Sequence, residues 1–151
     1  MDRREALKLT ALGLIAGATT LSASENEKEY SVYEKYREGI KNRNHYKKSA
    51  NPTKGELKHT PEIRIGPKDS LGYNLVEITI GQEGIIHPTS ETHWIDFIEL
   101  NADGKLVART LFEPGKSMGY AAYKVKLDGV KTLTAVAGCN IHGIWEETIK
   151  I

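Results

Sequence analysis

The sequence predicts an all-β domain, an immunoglobulin-like seven-stranded antiparallel β-sandwich, preceded by a signal segment and a charged arm. Three observations point there. Short runs with a two-residue apolar alternation fill the chain from residue 59 to its end, and that period places alternate side chains on opposite faces of a strand. Turn residues separate the runs: Gly81, Asp103-Gly104, Pro114-Gly115 and Asp128-Gly129. No segment with a helical period longer than two turns occurs in this stretch.

The first 23 residues are set apart from the fold. Arg3 and Arg4 precede a largely apolar run from Leu9 to Ala16, and small residues follow. This is the layout of a secretory signal. The Arg3-Arg4 pair followed by Leu7-Lys8 has the form of a twin-arginine address. The expectation is an exported protein, cleaved near Ala23, with no stable membrane insertion after processing. An uncleaved N-terminal anchor is the alternative, although the apolar run falls short of the ~20 residues a spanning helix needs.

Residues 24–55 read as a charged arm, a linker or short helix that packs on the domain, with Tyr30, Tyr33, Tyr36 and Ile40 as a weak helical stripe. Asn51-Pro52 and Gly55 end it. Nine basic and six acidic residues lie between Ser24 and Lys58, and nine basic and twelve acidic from His59 onward. The arm is therefore basic and the rest acidic. The formal charge of the whole chain is only +1, which does not suggest a nucleic-acid partner.

The sandwich occupies residues 56–151. Its seven runs are Glu62–Ile65, Tyr73–Ile80, Thr92–Leu100, Lys105–Phe112, Gly119–Leu127, Thr132–Gly138 and Trp145–Ile151. Strict alternation in the third would put Trp94, Asp96, Ile98 and Leu100 on one side, and His93, Ile95, Phe97 and Glu99 on the other. Seven strands in a stretch of this length suit a two-sheet sandwich. Asp103-Gly104 and Asp128-Gly129 are favourable tight-turn pairs.

The chain has one cysteine and five histidines. A lone Cys139 cannot form an internal disulfide. It is a buried structural residue, a nucleophile or a metal ligand. His45 lies among solvated charges in "RNHYKK" and is set aside as surface. The other four, His59, His87, His93 and His142, fall at loops or strand ends, as does Cys139. Loops on a rigid sandwich are where sites are built. Pro88 biases His87 to an extended backbone, and Gly138 and Gly143 allow the chain to curl between Cys139 and His142. Four imidazoles and one thiolate suit a transition metal. Tetrahedral zinc wants four ligands rather than five. Blue copper usually wants an axial methionine, and neither Met1 nor Met118 closely follows Cys139. Copper stays open, and redox-active iron fits the count best.

The segments "KHTPEI", "HPTSETHWIDFIEL" and "CNIHGIWE" resemble the superoxide reductases, the neelaredoxin and desulfoferrodoxin family, in its one-iron class. The likeness covers about residues 55–151. It implies an immunoglobulin-like sandwich and one iron per chain, held by four equatorial histidines, His59, His87, His93 and His142, and axial Cys139. It implies N–H groups of Ile141 and His142 directed at the sulfur. It implies one-electron reduction of superoxide to hydrogen peroxide with Lys58 as the catalytic residue, and an external electron donor. Superoxide is the expected substrate, the periplasm the expected setting, and a homo-oligomer is compatible with all of this. A non-catalytic electron carrier, or an accessory module of a periplasmic redox complex, is the alternative use of the same metal.

The chain departs from the family pattern before the first histidine. The family commonly has Gly-Glu-Lys-His there, and this chain has "GELKH". Lys58 matches the lysine, Leu57 takes the glutamate's place, and Glu56 is displaced by one. In an extended chain Glu56 would share a side with Lys58. In the family that glutamate can cap the oxidised iron, and the displaced Glu56 is not expected to do so in that manner. Trp94 stands where the family has a non-ligand histidine.

Overall fold

The computed structural model describes residues 40–151, which fall in one compact unit. The expected signal segment and the tyrosine stripe from Tyr30 to Tyr36 lie outside the described residues. Eight strands and one short helix follow in order: β1 His45–Tyr46, α1 Lys54–His59, β2 Pro61–Lys68, β3 Asn74–Ile80, β4 Ile95–Ala102, β5 Lys105–Leu111, β6 Tyr120–Val125, β7 Thr132–Cys139 and β8 Gly143–Lys150. They form a five-stranded sheet, β1-β8-β7-β4-β5, and a three-stranded sheet, β2-β3-β6. All pairings are antiparallel except β1 with β8.

Strands β2–β8 correspond one for one to the seven alternating runs. Their inward rows build the core between the sheets. Val76, Ile78 and Ile80 of β3 face Ile98 and Leu100 of β4 and Leu133, Ala135 and Ala137 of β7, all fully buried. Each large aliphatic side chain so buried contributes about 1.5–3 kcal/mol. The inward row of β7 ends at Cys139. Alternation alone thus delivers the sulfur to one end of the core. The β4–β5 turn is Asp103-Gly104, both at positive φ (46° and 77°), as a tight hairpin requires.

Strict alternation fails at one place on β4. Ile95 pairs with Cys139 and Phe97 with Gly138, so Asp96 is an extra residue opposite a single step of β7. This is a β-bulge. It turns Ile95 into the inter-sheet core beside Ile98 and Leu100. Phe97 goes to the other face, against Ile40 and Ile144. Gly138 makes room there, because a Cβ would lie 2.4 Å from the Phe97 ring. The bulge lies three residues past His93, at the start of β4.

Of the arm expected over residues 24–55, the structure describes the part from Ile40 onward. From Ile40, which is buried, it joins the sandwich and adds β1 to the edge of β8. Two residues are too few for a period to be visible in sequence. The short segment is held by its neighbours instead: Lys41 N–H donates to the Asn140 carbonyl at 2.8 Å, and Ile144 N–H to the Asn44 carbonyl at 2.9 Å.

Candidate metal centre

His59 is delivered by α1, the one helix among the described residues. Thr53 caps it: its hydroxyl accepts from Glu56 N–H at 3.2 Å, and the Glu56 carboxylate accepts from Thr53 N–H at 2.8 Å. This reciprocal capping box starts a helix that its six residues could not sustain alone. A further bond from Ser49 N–H, at 2.9 Å, holds the same carboxylate. These donors pull the Glu56 carboxyl down to about 2. Glu56 is therefore committed to the cap. The extended geometry expected for Glu56 and Lys58 is replaced by a helical one, in which residues two apart point roughly opposite ways.

Main-chain groups and one buried side-chain amide hold the ligand candidates. His59 Nδ1 lies 2.6 Å from the Gly55 carbonyl, and His87 Nδ1 lies 2.7 Å from the Pro88 carbonyl. A carbonyl only accepts, so both Nδ1 atoms carry hydrogen and both Nε2 atoms present a lone pair. His93 sits between two residues pinned by Asn140. The Asn140 side chain accepts from Trp94 N–H at 2.9 Å and donates to the Thr92 carbonyl at 3.0 Å. Cys139 Sγ accepts from His142 N–H at 3.4 Å. Gly143, at φ 93°, closes the turn from β7 to β8.

The four rings stand in a near-square. Neighbouring centroids are 4.8 Å apart for His59–His87, 4.6 Å for His87–His93, 4.7 Å for His93–His142 and 4.8 Å for His142–His59. Each ring meets its neighbours edge to face, at 70–78°. The His59–His93 diagonal is 6.1 Å, a little shorter than in a regular square. Ligand atoms of His59, His93, Cys139 and His142 all lie within 4.8 Å of one another. His87 stands outside that tight group of four and joins through its two ring contacts.

The residues fit a metal ion. The Nε2 atom of His87 is buried and has no hydrogen-bond partner, a state that costs free energy unless something else satisfies it. His142 Nδ1 lies 3.0 Å from His59 Nε2 and 3.1 Å from His93 Nε2. One proton on Nδ1 cannot serve both well, whereas one cation can serve all three. Burial pushes His59 down to about 4 and His87 to about 3, with neighbouring histidines and Lys58 adding to the effect. Burial also lowers His93. At neutral pH these three imidazoles are neutral and able to ligate. Burial raises the Cys139 thiol, against N–H donors from His142 and Ile141. A buried thiol of this kind gives up its proton to a cation.

Lys58 is half-buried on α1, next to His59 in sequence. Its charge opposes protonation of His59, His87 and His93 and favours the thiolate of Cys139. His45 is exposed on β1. Trp94 takes no place in the square; its indole donates to Asp96 at 3.2 Å. Sequence reasoning missed two supports. Asn140, inside "CNIHG", had a visible signal in its place between Cys139 and His142. Trp145, whose ring stacks on His59 at 5.3 Å and 22°, had none beyond its closeness to His142.

Fold and site together define a class: an antiparallel β-sandwich carrying an imidazole–thiolate cluster able to hold one metal ion. The family model described as Desulfoferrodoxin matches residues 51–148. The desulfoferrodoxin of Nitratidesulfovibrio vulgaris is 38% identical over 89 residues, 59% of this chain and 60% of that protein. A desulfoferrodoxin homolog of Archaeoglobus fulgidus is 38% identical over 93 residues, and this chain spans 63% of it. The superoxide reductase of Pyrococcus abyssi is 35% identical over 107 residues, 65% of this chain and 90% of that protein. Among solved structures, the one-iron superoxide reductase of Giardia intestinalis aligns with a TM-score of 0.54 and 30% identity, covering 62% of this chain and 98% of that one. The chain belongs to the desulfoferrodoxin family, whose members use an iron centre.

Proposed function

We propose that this chain is a superoxide reductase, converting superoxide with one electron and two protons to hydrogen peroxide. The proposed ligands of its iron are His59, His87, His93, His142 and Cys139. The observation that carries the reading is the near-square of four rings beside a fully buried sulfur. The superoxide reductase relatives supply the substrate class.

The chain's residues divide the work. When bound, ferrous iron supplies the electron, and the thiolate enriches its electron density. The Gly55 and Pro88 carbonyls hold two imidazoles in the tautomer that offers Nε2. N–H groups of His142 and Ile141 withdraw density from the sulfur and so tune the site's potential. The sulfur is buried at the core's end, while His142 is exposed. A small anion therefore approaches from the imidazole side. Lys58 draws it in, since focused positive charge raises on-rates by ~10–10³. Lys58 also orients water toward the reduced product, and solvent supplies the protons. An external one-electron donor closes the cycle.

An exported, periplasmic setting is part of the proposal and rests on the Arg3-Arg4 segment and the apolar run after it. Stopped-flow mixing of the ferrous protein with superoxide tests the activity. Rapid oxidation with one hydrogen peroxide per superoxide is expected; an unreacted ferrous protein rules the reading out.

A further inference from the structure

Residues 40–46 lie outside the stretch that the family model matches, yet they are stitched to the loop carrying Cys139 and His142. Lys41 N–H reaches the Asn140 carbonyl, and the Asn44 carbonyl accepts from Ile144 N–H. Tyr46 pairs in register with Trp145. Its ring stacks on Trp145 at 5.0 Å and 26°, and Trp145 stacks on His59 at 5.3 Å and 22°. Three near-parallel rings therefore run from the edge strand to a ligand candidate. We infer that this segment is a positioning brace for His59, with Tyr46 and Trp145 as the positioning residues. The inference rests on the reading of His59 as a metal ligand.

The bond from His59 Nδ1 to Gly55 fixes one atom of the ring and leaves the ring free to rock about that bond. A flat indole against its face removes that freedom. Trp145 is itself restrained by two contacts. Its Nε1–H donates to the His142 carbonyl at 3.1 Å, and Tyr46 stacks on its ring. Trp145 thus touches one candidate ligand and holds the backbone of another, so a shift of the indole reaches both. Tyr46 is seated by the parallel β1–β8 pairing and by the side-chain amides of Asn42 and Asn44, each 3.4 Å from its hydroxyl oxygen. Gly143 completes the fit. A Cβ there would lie 2.6 Å from the Tyr46 ring and 2.8 Å from the Asn44 carbonyl. A side chain at 143 would push the brace off the loop.

Cobalt(II) titration of the metal-free full chain tests this, followed by visible absorption. Wild type is expected to bind one cobalt with a thiolate charge-transfer band. Tyr46→Ala is expected to bind ~10–100-fold more weakly, the usual effect of losing a group that orients a ligand, with an altered band. Tyr46→Phe keeps the ring and is expected to restore both. Wild-type affinity and spectrum in Tyr46→Ala would overturn the brace, as would a Tyr46→Phe protein no better than the alanine variant. A purely structural tyrosine would lower the melting temperature of metal-free protein and leave affinity unmoved. If Tyr46→Ala does not fold, Tyr46→Leu retains bulk without a stacking ring; the same loss is expected, and unchanged affinity overturns the inference. Absence of the thiolate band in wild type would instead remove the metal-site reading itself.

Discussion

His59 Nε2 lies 3.0 Å from His142 Nδ1, although 83 residues separate them in the chain. One ring hangs from the last turn of a capped helix and the other from a glycine-closed turn between β7 and β8. Different nitrogens converge because different main-chain anchors hold the two rings. In His59 the Gly55 carbonyl occupies Nδ1, so Nε2 turns inward. In His142 the short reach from Cys139 brings Nδ1 to 3.5 Å from the sulfur. A cluster assembled from separate anchors is rigid only if each anchor is.

Lys58→Ala tests charge steering. The variant is expected to react with superoxide ~10-fold or more slowly at low ionic strength, in keeping with the gain that focused charge provides. The deficit should shrink as salt is added, because the Debye length falls to about 10 Å at 0.1 M. Stopped-flow rates across a salt series decide it. A loss independent of salt would assign Lys58 to a different role.

Gly143→Ala and Gly129→Ala separate strain from collision. Both glycines have positive φ, 93° and 77°. Alanine in such a conformation costs of order 1–3 kcal/mol. At Gly129 a Cβ meets nothing within 4 Å, while at Gly143 it strikes Tyr46 and the Asn44 carbonyl. Urea denaturation of the metal-free proteins should therefore show the larger loss for Gly143→Ala. Equal losses would mean that the 40–46 segment does not press on the turn.

The Glu56 cap predicts a pH dependence. Hydrogen bonds to its carboxylate hold Glu56 at about 2, below its ordinary value of 4.5. A folded-state value lower than the unfolded one adds stability above pH 4.5, and that stability is lost as pH falls through about 2. Wild type should exceed Glu56→Gln in urea stability at pH 6, and the gap should close toward pH 2. A gap that persists unchanged in acid would contradict the carboxylate's capping role.

Much of the fold was legible because strand alternation is a direct imprint of burial. The rows Val76-Ile78-Ile80 and Leu133-Ala135-Ala137-Cys139 show it, and the second already carries the thiol to the core's edge. The bulge at Asp96 was not legible. It adds one residue without changing composition, and only the pairing of Ile95 with Cys139 and Phe97 with Gly138 exposes it. Strand β1 was hidden for a related reason: its two residues owe their conformation to β8 and to the Asn44–Ile144 contact. The helical turn before His59 did have a signature, Thr53-x-x-Glu56, that of a capping box. For the centre, the residue types were readable, as were the loop positions of His87, His93 and His142 and the strand-end position of Cys139; the helix that carries His59 was not expected. The tautomers were not readable, because the Gly55 and Pro88 carbonyls that set them meet the rings only in the folded chain.

The central claim is that four imidazoles and one sulfur surround a single ion. Iron K-edge X-ray absorption of the protein loaded with one iron per chain tests it most directly, with Cys139→Ser as the control. One sulfur scatterer and four imidazole nitrogens are predicted, with the sulfur shell missing from the variant. A wild-type spectrum with no sulfur shell, or with fewer than four imidazoles, would contradict the claim.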